Sequence, residues 1–216
     1  MKSAYLKGCI GFAILLSIMF AIGCATTGPP LFGAKGYHPG LAPAGSSWLM
    51  ERRDSGSFGS GTYLIRTTSL GEQTWQGRKV YGYDSPEGTG LLDATSTKWV
   101  AVVKGTTPLI IYDPPLGWDY PLWVGKSWTQ VYNFKFPKQT VTSEARWKVE
   151  AFEDVKVPAG RFKAFRVSYS DQWNENISWW SPELGLFVKI KNQRNAKHVA
   201  GHGVREAELY SYDFKK

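Results

Sequence analysis

The sequence predicts a single all-β domain, either one curved antiparallel sheet or a partly closed barrel, with little helix outside the first two dozen residues. Three observations predict it. From Trp48 onward glycine and proline interrupt the chain too often for long helices. The stretches between them are rich in β-branched and aromatic residues, which suit a pleated, half-buried surface. Several of these stretches also alternate with a period of two.

The amino terminus belongs to a different regime. Lys2 and Lys7 precede an apolar run from Gly8 to Gly23. At 16 residues it falls short of the roughly 20 that a helix needs to cross ~30 Å of hydrocarbon. Positive charge, a short apolar segment and small residues at its end form an export signal over residues 1–23. Ala21-Ile22-Gly23-Cys24 then resembles the lipobox of bacterial lipoproteins, with alanine where leucine is commonest. The resemblance implies cleavage before Cys24, a diacylglyceryl group on its thiol and acylation of the new amino terminus. Cysteine usage agrees: Cys9 lies in the removed segment, so the mature chain keeps Cys24 alone and has no disulfide. Two or three acyl chains hold a membrane durably where one holds it marginally. Ala25 and Thr26 follow, without the aspartate that would alter sorting, so the resemblance implies the outer membrane and its periplasmic side.

Residues 24–47 are read as the lipidated cysteine and a Gly/Pro-rich tether, because Gly28 to Ser47 shows neither period. Residues 48–216 form the β-domain. Net charge is +8, and +6 without Lys2 and Lys7, from scattered basic residues that favour solubility or anionic envelope polymers. An exported lipoprotein has no nucleic-acid partner.

About ten strands are expected. Trp128, Tyr132, Phe134 and Phe136 share one parity against Thr129, Asn133 and Lys135. Leu184, Leu186, Val188 and Ile190 alternate with Lys189 and Lys191. Gly61–Thr68, Trp75–Tyr83, Lys98–Lys104 and Arg205–Phe214 read as further strands. Val141 to Phe152 fits either period, since Val141, Ala145, Val149 and Phe152 would make a helical stripe. The strand parity also takes in Trp147, and Thr140-Val-Thr142 prefers a pleated backbone, so a strand is expected. Val157-Pro-Ala-Gly-Arg-Phe162 is a turn signal: Pro158 presets φ for a type I turn, and Gly160 can form a bulge. A hairpin from Thr140 to Asp171 follows, with a parity slip just after the turn.

Three motifs together resemble a group of exported bacterial β-domains of unknown role, labelled TapB-like. They are Tyr120-Pro-Leu-Trp-Val-Gly-Lys-Ser-Trp128, Val157-Pro-Ala-Gly-Arg-Phe162 and Trp179-Trp-Ser-Pro-Glu-Leu-Gly185. The resemblance implies a curved antiparallel sheet and carries no catalytic residue.

Chemistry-bearing clusters are sparse. His198 and His202 stand four apart but among glycines in a loop, so no metal site is expected. Gly56-Ser-Phe-Gly-Ser-Gly61 fits neither a nucleophile elbow nor a phosphate loop, and no cofactor is expected. Asp113 and Asp119 flank a proline-stiffened loop and are the carboxylates a hydrolase of cell-wall polymer would use, with His198 and His202. The chain's ten tryptophans are the informative excess. Trp179 and Trp180 are adjacent, so an extended backbone points them to opposite faces. With Trp118, Tyr120 and Trp123 of the Asp113–Trp123 loop they form the candidate ligand-binding set. The leading expectation is a non-enzymatic binding or envelope-assembly module for a lipid, a glycan or an envelope protein. The alternatives are the hydrolase and a structural subunit of a surface assembly.

Overall fold

The structure is a computed structural model that describes residues 41–215. The signal segment, Cys24 and most of the tether lie outside the described residues. The chain forms twelve strands. The first six are β1 (Ser47–Gly56), β2 (Gly61–Trp75), β3 (Arg78–Ser85), β4 (Gly88–Asp93), β5 (Trp99–Lys104) and β6 (Thr107–Leu116). The second six are β7 (Ser127–Phe136), β8 (Gln139–Val157), β9 (Gly160–Ser170), β10 (Asn174–Ser181), β11 (Leu186–Arg194) and β12 (Gly203–Asp213). Each pairs antiparallel with its sequence neighbours, and β1 pairs with β12, so the meander closes into a barrel. The all-β architecture agrees with the sequence; closure is complete rather than partial, and the count is twelve rather than ten.

Alternation explains which way the barrel faces. In β8, Ser143, Ala145, Trp147, Val149, Val155 and Val157 are buried, while Glu144, Arg146 and Lys148 are exposed. The ambiguous Val141–Phe152 segment is therefore a strand. Apolar side chains point inward and charged ones outward, the reverse of a barrel embedded in lipid. No described helix is long and apolar enough to cross a membrane.

Two local expectations are corrected. Trp75–Tyr83 is not one strand but the β2–β3 hairpin, closed at Gln76-Gly77, both with positive φ (48° and 77°). That pair of left-handed residues matches the right-handed twist of the flanking strands. In the second case, the β8–β9 register runs unbroken from Val157↔Gly160 to Ala151↔Arg166. The shift lies at Glu150, opposite the Arg166–Val167 step, and not at Gly160. The extra residue at Glu150 accounts for the change of buried parity in β9, where Ala164 and Phe165 are consecutive and both buried.

A meander places successive turns at opposite ends. The turns at 76–77, 94–98, 117–126, 158–159 and 182–185 form one end, here the rim, where residues 41–46 also enter. Ala42 and Ser46, within the stretch read as tether, are buried: Ser69 Oγ donates to the Ala42 carbonyl at 2.6 Å. The other six turns form the base.

Candidate functional site

The loop of residues 117–126, between β6 and β7, folds over the rim. Leu122 is buried, and Trp118 and Tyr120 pack onto the core built around Tyr132, Trp147, Val149 and Trp180. Strand β7 holds the loop: Trp128 Nε1 donates to the Gly117 carbonyl, and Gln130 Nε2 donates to the Pro115 carbonyl at 2.7 Å. Lys126, itself buried, ties its two halves. Its ammonium donates to the Asp119 and Pro121 carbonyls and lies 4.6 Å from the Trp123 ring centroid. Such a buried cation needs these acceptors, since unpaired it would be costly.

Inside the barrel lies a cavity of about 450 Å³, within the range of small-molecule sites. Rings from seven strands and the 117–126 loop form its wall, among them Trp48, Trp99, Trp118, Tyr120, Trp147 and Trp180. Asn176, Ser178 and Asn192 supply neutral polar groups. Among the described residues no Asp, Glu, Lys, Arg or His lines it. The tyrosines keep the lumen uncharged. Burial pushes the Tyr83 hydroxyl up to about 12 and drives Tyr120 higher still. Burial and then the neighbouring Asp171 carboxylate raise Tyr169 far above the phenol range. Tyr132 and Tyr169 meet at 3.2 Å between hydroxyls, and both donate to Asp171. That carboxylate also accepts the backbone N–H groups of Trp173 and Asn174, each at 2.7 Å. The network closes the β9–β10 turn and is structural.

Of the five predicted aromatic residues, Trp118, Tyr120 and Trp180 converge: Trp118–Trp180 centroids are 6.3 Å apart and Tyr120–Trp180 5.7 Å. Trp123 and Trp179 do not line the cavity. Trp179 donates to Glu153 at 2.8 Å and stands beside Lys189, while Trp180, across the β10–β11 register shift, faces inward. Trp48, Trp99 and Trp147 went unselected because each reads as ordinary core. Trp99 had one signal: it lies over Gly90 so closely that a Cβ there would sit 2.3 Å from its ring. A glycine inside a strand marks such close approach.

Trp99 and Thr97 are placed by the Asp93–Lys98 rim loop. Asp93 Oδ1 accepts from the N–H groups of Thr95 and Ser96 and from the Ser96 hydroxyl, and Oδ2 pairs with Arg78 at 2.7 Å. Burial opposes ionisation of Asp93, but the Ser96 bonds and Arg78 outweigh it and hold the carboxyl below its ordinary value. A depressed folded-state value means the contribution is present above the unfolded pKa and is lost as pH falls through the folded one. Asp93→Ala is therefore expected to cost about 1–2 kcal/mol at neutral pH. The gap from wild type should narrow as pH falls below 4 in urea-unfolding series. A gap that stays constant through that range refutes the assignment.

The hydrolase candidates are dispersed. Asp113 is exposed and pairs with Lys135 at 2.5 Å; Asp119 is exposed beside Lys126. His198 lies in the β11–β12 loop, its Nδ1 accepting the Ala200 N–H, and burial and then Arg194 hold it below the usual imidazole range. His202 is exposed. Among the described residues no group of three or more metal-ligating side chains occurs.

No protein-family model matches the chain, and no curated protein does. Solved structures to which the chain is distantly similar include three exported or lipoprotein chains. A Parabacteroides distasonis protein named as a lipoprotein is 10% identical, with TM-score 0.41, covering 82% of this chain and 98% of its own. YmcC from Escherichia coli K12, also named as a lipoprotein, is 11% identical, with TM-score 0.40, covering 78% and 88%. A Bacteroides fragilis protein named as exported and of YmcC-like fold is 10% identical, with TM-score 0.41, covering 80% and 97%. Likeness at this level leaves the role of the barrel to its own residues.

Proposed function

We propose that this chain is an outer-membrane lipoprotein, anchored through Cys24 on the periplasmic side, whose barrel binds a small uncharged ligand in its lumen without transforming it. One observation carries the reading: a cavity of about 450 Å³ walled by aromatic rings and neutral polar groups, with no ionisable side chain among the described residues except tyrosines held protonated. General acid–base chemistry needs a titratable group within hydrogen-bond reach of substrate, and Asp113, Asp119, His198 and His202 are not among the lining residues. Closure of β1 on β12 also argues against a partner adding a strand, since a closed barrel has no free edge. The Ala21–Cys24 lipobox supports the anchor.

The neutral fluorophore N-phenyl-1-naphthylamine is the first probe. It is expected to bind one per chain with enhanced emission. Trp118→Ala should weaken it about tenfold, the equivalent of ~1.4 kcal/mol. Ser178→Trp, which fills the lumen, should abolish it. Equal binding by the filled variant and wild type places the probe elsewhere and ends the reading. Mass spectrometry of the mature chain tests the anchor separately: an unmodified Cys24 removes it.

A further inference from the structure

The lumen differs along its axis. Toward the rim it is mostly apolar: Leu41, Leu92, Trp99, Leu116, Trp118 and Phe187 line that part, with Thr97 of the β4–β5 turn the polar exception. Toward the base it is polar. Asn176 and Asn192 face each other as a cross-strand pair near the base ends of β10 and β11, with Ser178 one inward step along. Gln193 N–H donates to Asn176 Oδ1 at 3.3 Å, which leaves the Asn176 NH₂ as a donor. Among the described residues nothing in the chain hydrogen-bonds the Asn192 amide or the Ser178 hydroxyl.

Below this polar level the barrel is shut by ion pairs. Asn192 pairs across the sheet with Arg205, which donates twice to buried Asp54 at 2.9 and 3.0 Å. Arg194 donates to the Ser57 carbonyl, and Phe58 lies 3.8 Å from its guanidinium and 4.6 Å from that of Arg205. The lumen thus runs from an ionic base through a neutral hydrogen-bonding floor to an aromatic and aliphatic rim end. Residues 41–46 enter at that rim end.

Resting on the reading of the lumen as the ligand site, we propose that its occupant is an uncharged amphiphile bound head first. The neutral, hydrogen-bonding head meets Asn176, Ser178 and Asn192, and the apolar body lies along the rings and leucines of the rim end. A charged head would lose its water without gaining a counter-ion, because the base arginines are already held by Asp54, Ser57 and Phe58. A bare sugar would leave the leucines uncovered, and a bare hydrocarbon would leave the floor amides without partners.

The test uses the full chain in lipid nanodiscs, titrated with n-octyl-β-D-glucoside below its micellar concentration, with glucose, 1-octanol and octanoate alongside. Tryptophan emission is read against the lumen-filled Ser178→Trp variant to subtract partitioning. Octyl glucoside is expected to bind at least ~tenfold more tightly than each comparator, and Asn192→Leu to weaken it about tenfold. Asn176→Ala is the second variant if Asn192→Leu fails to fold. Octanol binding equally well, with both asparagine variants silent, overturns the head-first assignment while the lumen remains a ligand site. So does glucose binding as tightly as its octyl derivative, or octanoate binding best. No lumen-dependent signal from any of the four overturns both.

Discussion

Trp147→Ala is expected to lower stability by about 3–5 kcal/mol. The residue is 5% exposed and sits mid-way along β8, the longest strand. Its ring stacks on Trp128 with centroids 5.5 Å apart and planes 9° from parallel, and Tyr169 meets it at 5.3 Å. Removing it takes away a large apolar area and opens a hole into the lumen that Ala145 and Val149, both fully buried on the same strand, cannot fill. At ~2–4 °C per kcal/mol for a chain of this size, the midpoint should fall by roughly 10 °C. Trp147→Phe keeps a ring against Trp128 and should recover about half. Thermal unfolding followed by far-UV circular dichroism measures both. A loss below ~1 kcal/mol for the alanine variant would show that the stacked pair is peripheral to the core.

The same residue shows how far the sequence can be read. Strand parity alone places Trp147 inward, because Val141, Ala145, Val149 and Ala151 share its phase. Parity says inward; it does not say toward a space. The cavity exists because β1 closes on β12, pairing Ser47 with Asp213, and no local pattern encodes a contact between such distant positions. Trp180 and Trp179 illustrate the limit from the other side. Adjacency requires opposite faces, and the structure has them so, but only the barrel decides that Trp180 faces the lumen. Asn176 and Asn192 carried no signal, since polar residues in strands ordinarily face water. The tight turn at Gln76-Gly77 was hidden because apolar residues on both sides continue one another's rhythm. Where sequence reading succeeded, in β7, β8 and the Pro158 turn, the determining contacts are local.

Asp54→Ala is expected to cost about 3–5 kcal/mol for a different reason: it leaves buried positive charge without its one buried counter-ion. The Asp54 side chain is 2% exposed, against 21% for Arg205 and 14% for Arg52. Arg205 forms a two-pronged pair with it, and Arg52 Nε stands 3.3 Å away without the alignment of a hydrogen bond. Asp54 and Arg205 are also register partners in the seam that closes the barrel. Loss of the carboxylate should therefore loosen the β1–β12 base in particular, and amide hydrogen exchange there should accelerate more than in β8. Both arginines retain Glu87, 2.7 Å from Arg52 and 3.3 Å from Arg205, but that carboxylate is 54% exposed and compensates little. The charge argument separates from a packing argument in the double variant. Asp54→Met with Arg205→Leu removes both members of the two-pronged pair and keeps apolar volume, so it should be more stable than Asp54→Ala and fall short of wild type only by what Arg52 loses. A double variant as damaged as the single one would mean that the seam depends on the geometry of the pair and not on neutralising its charge.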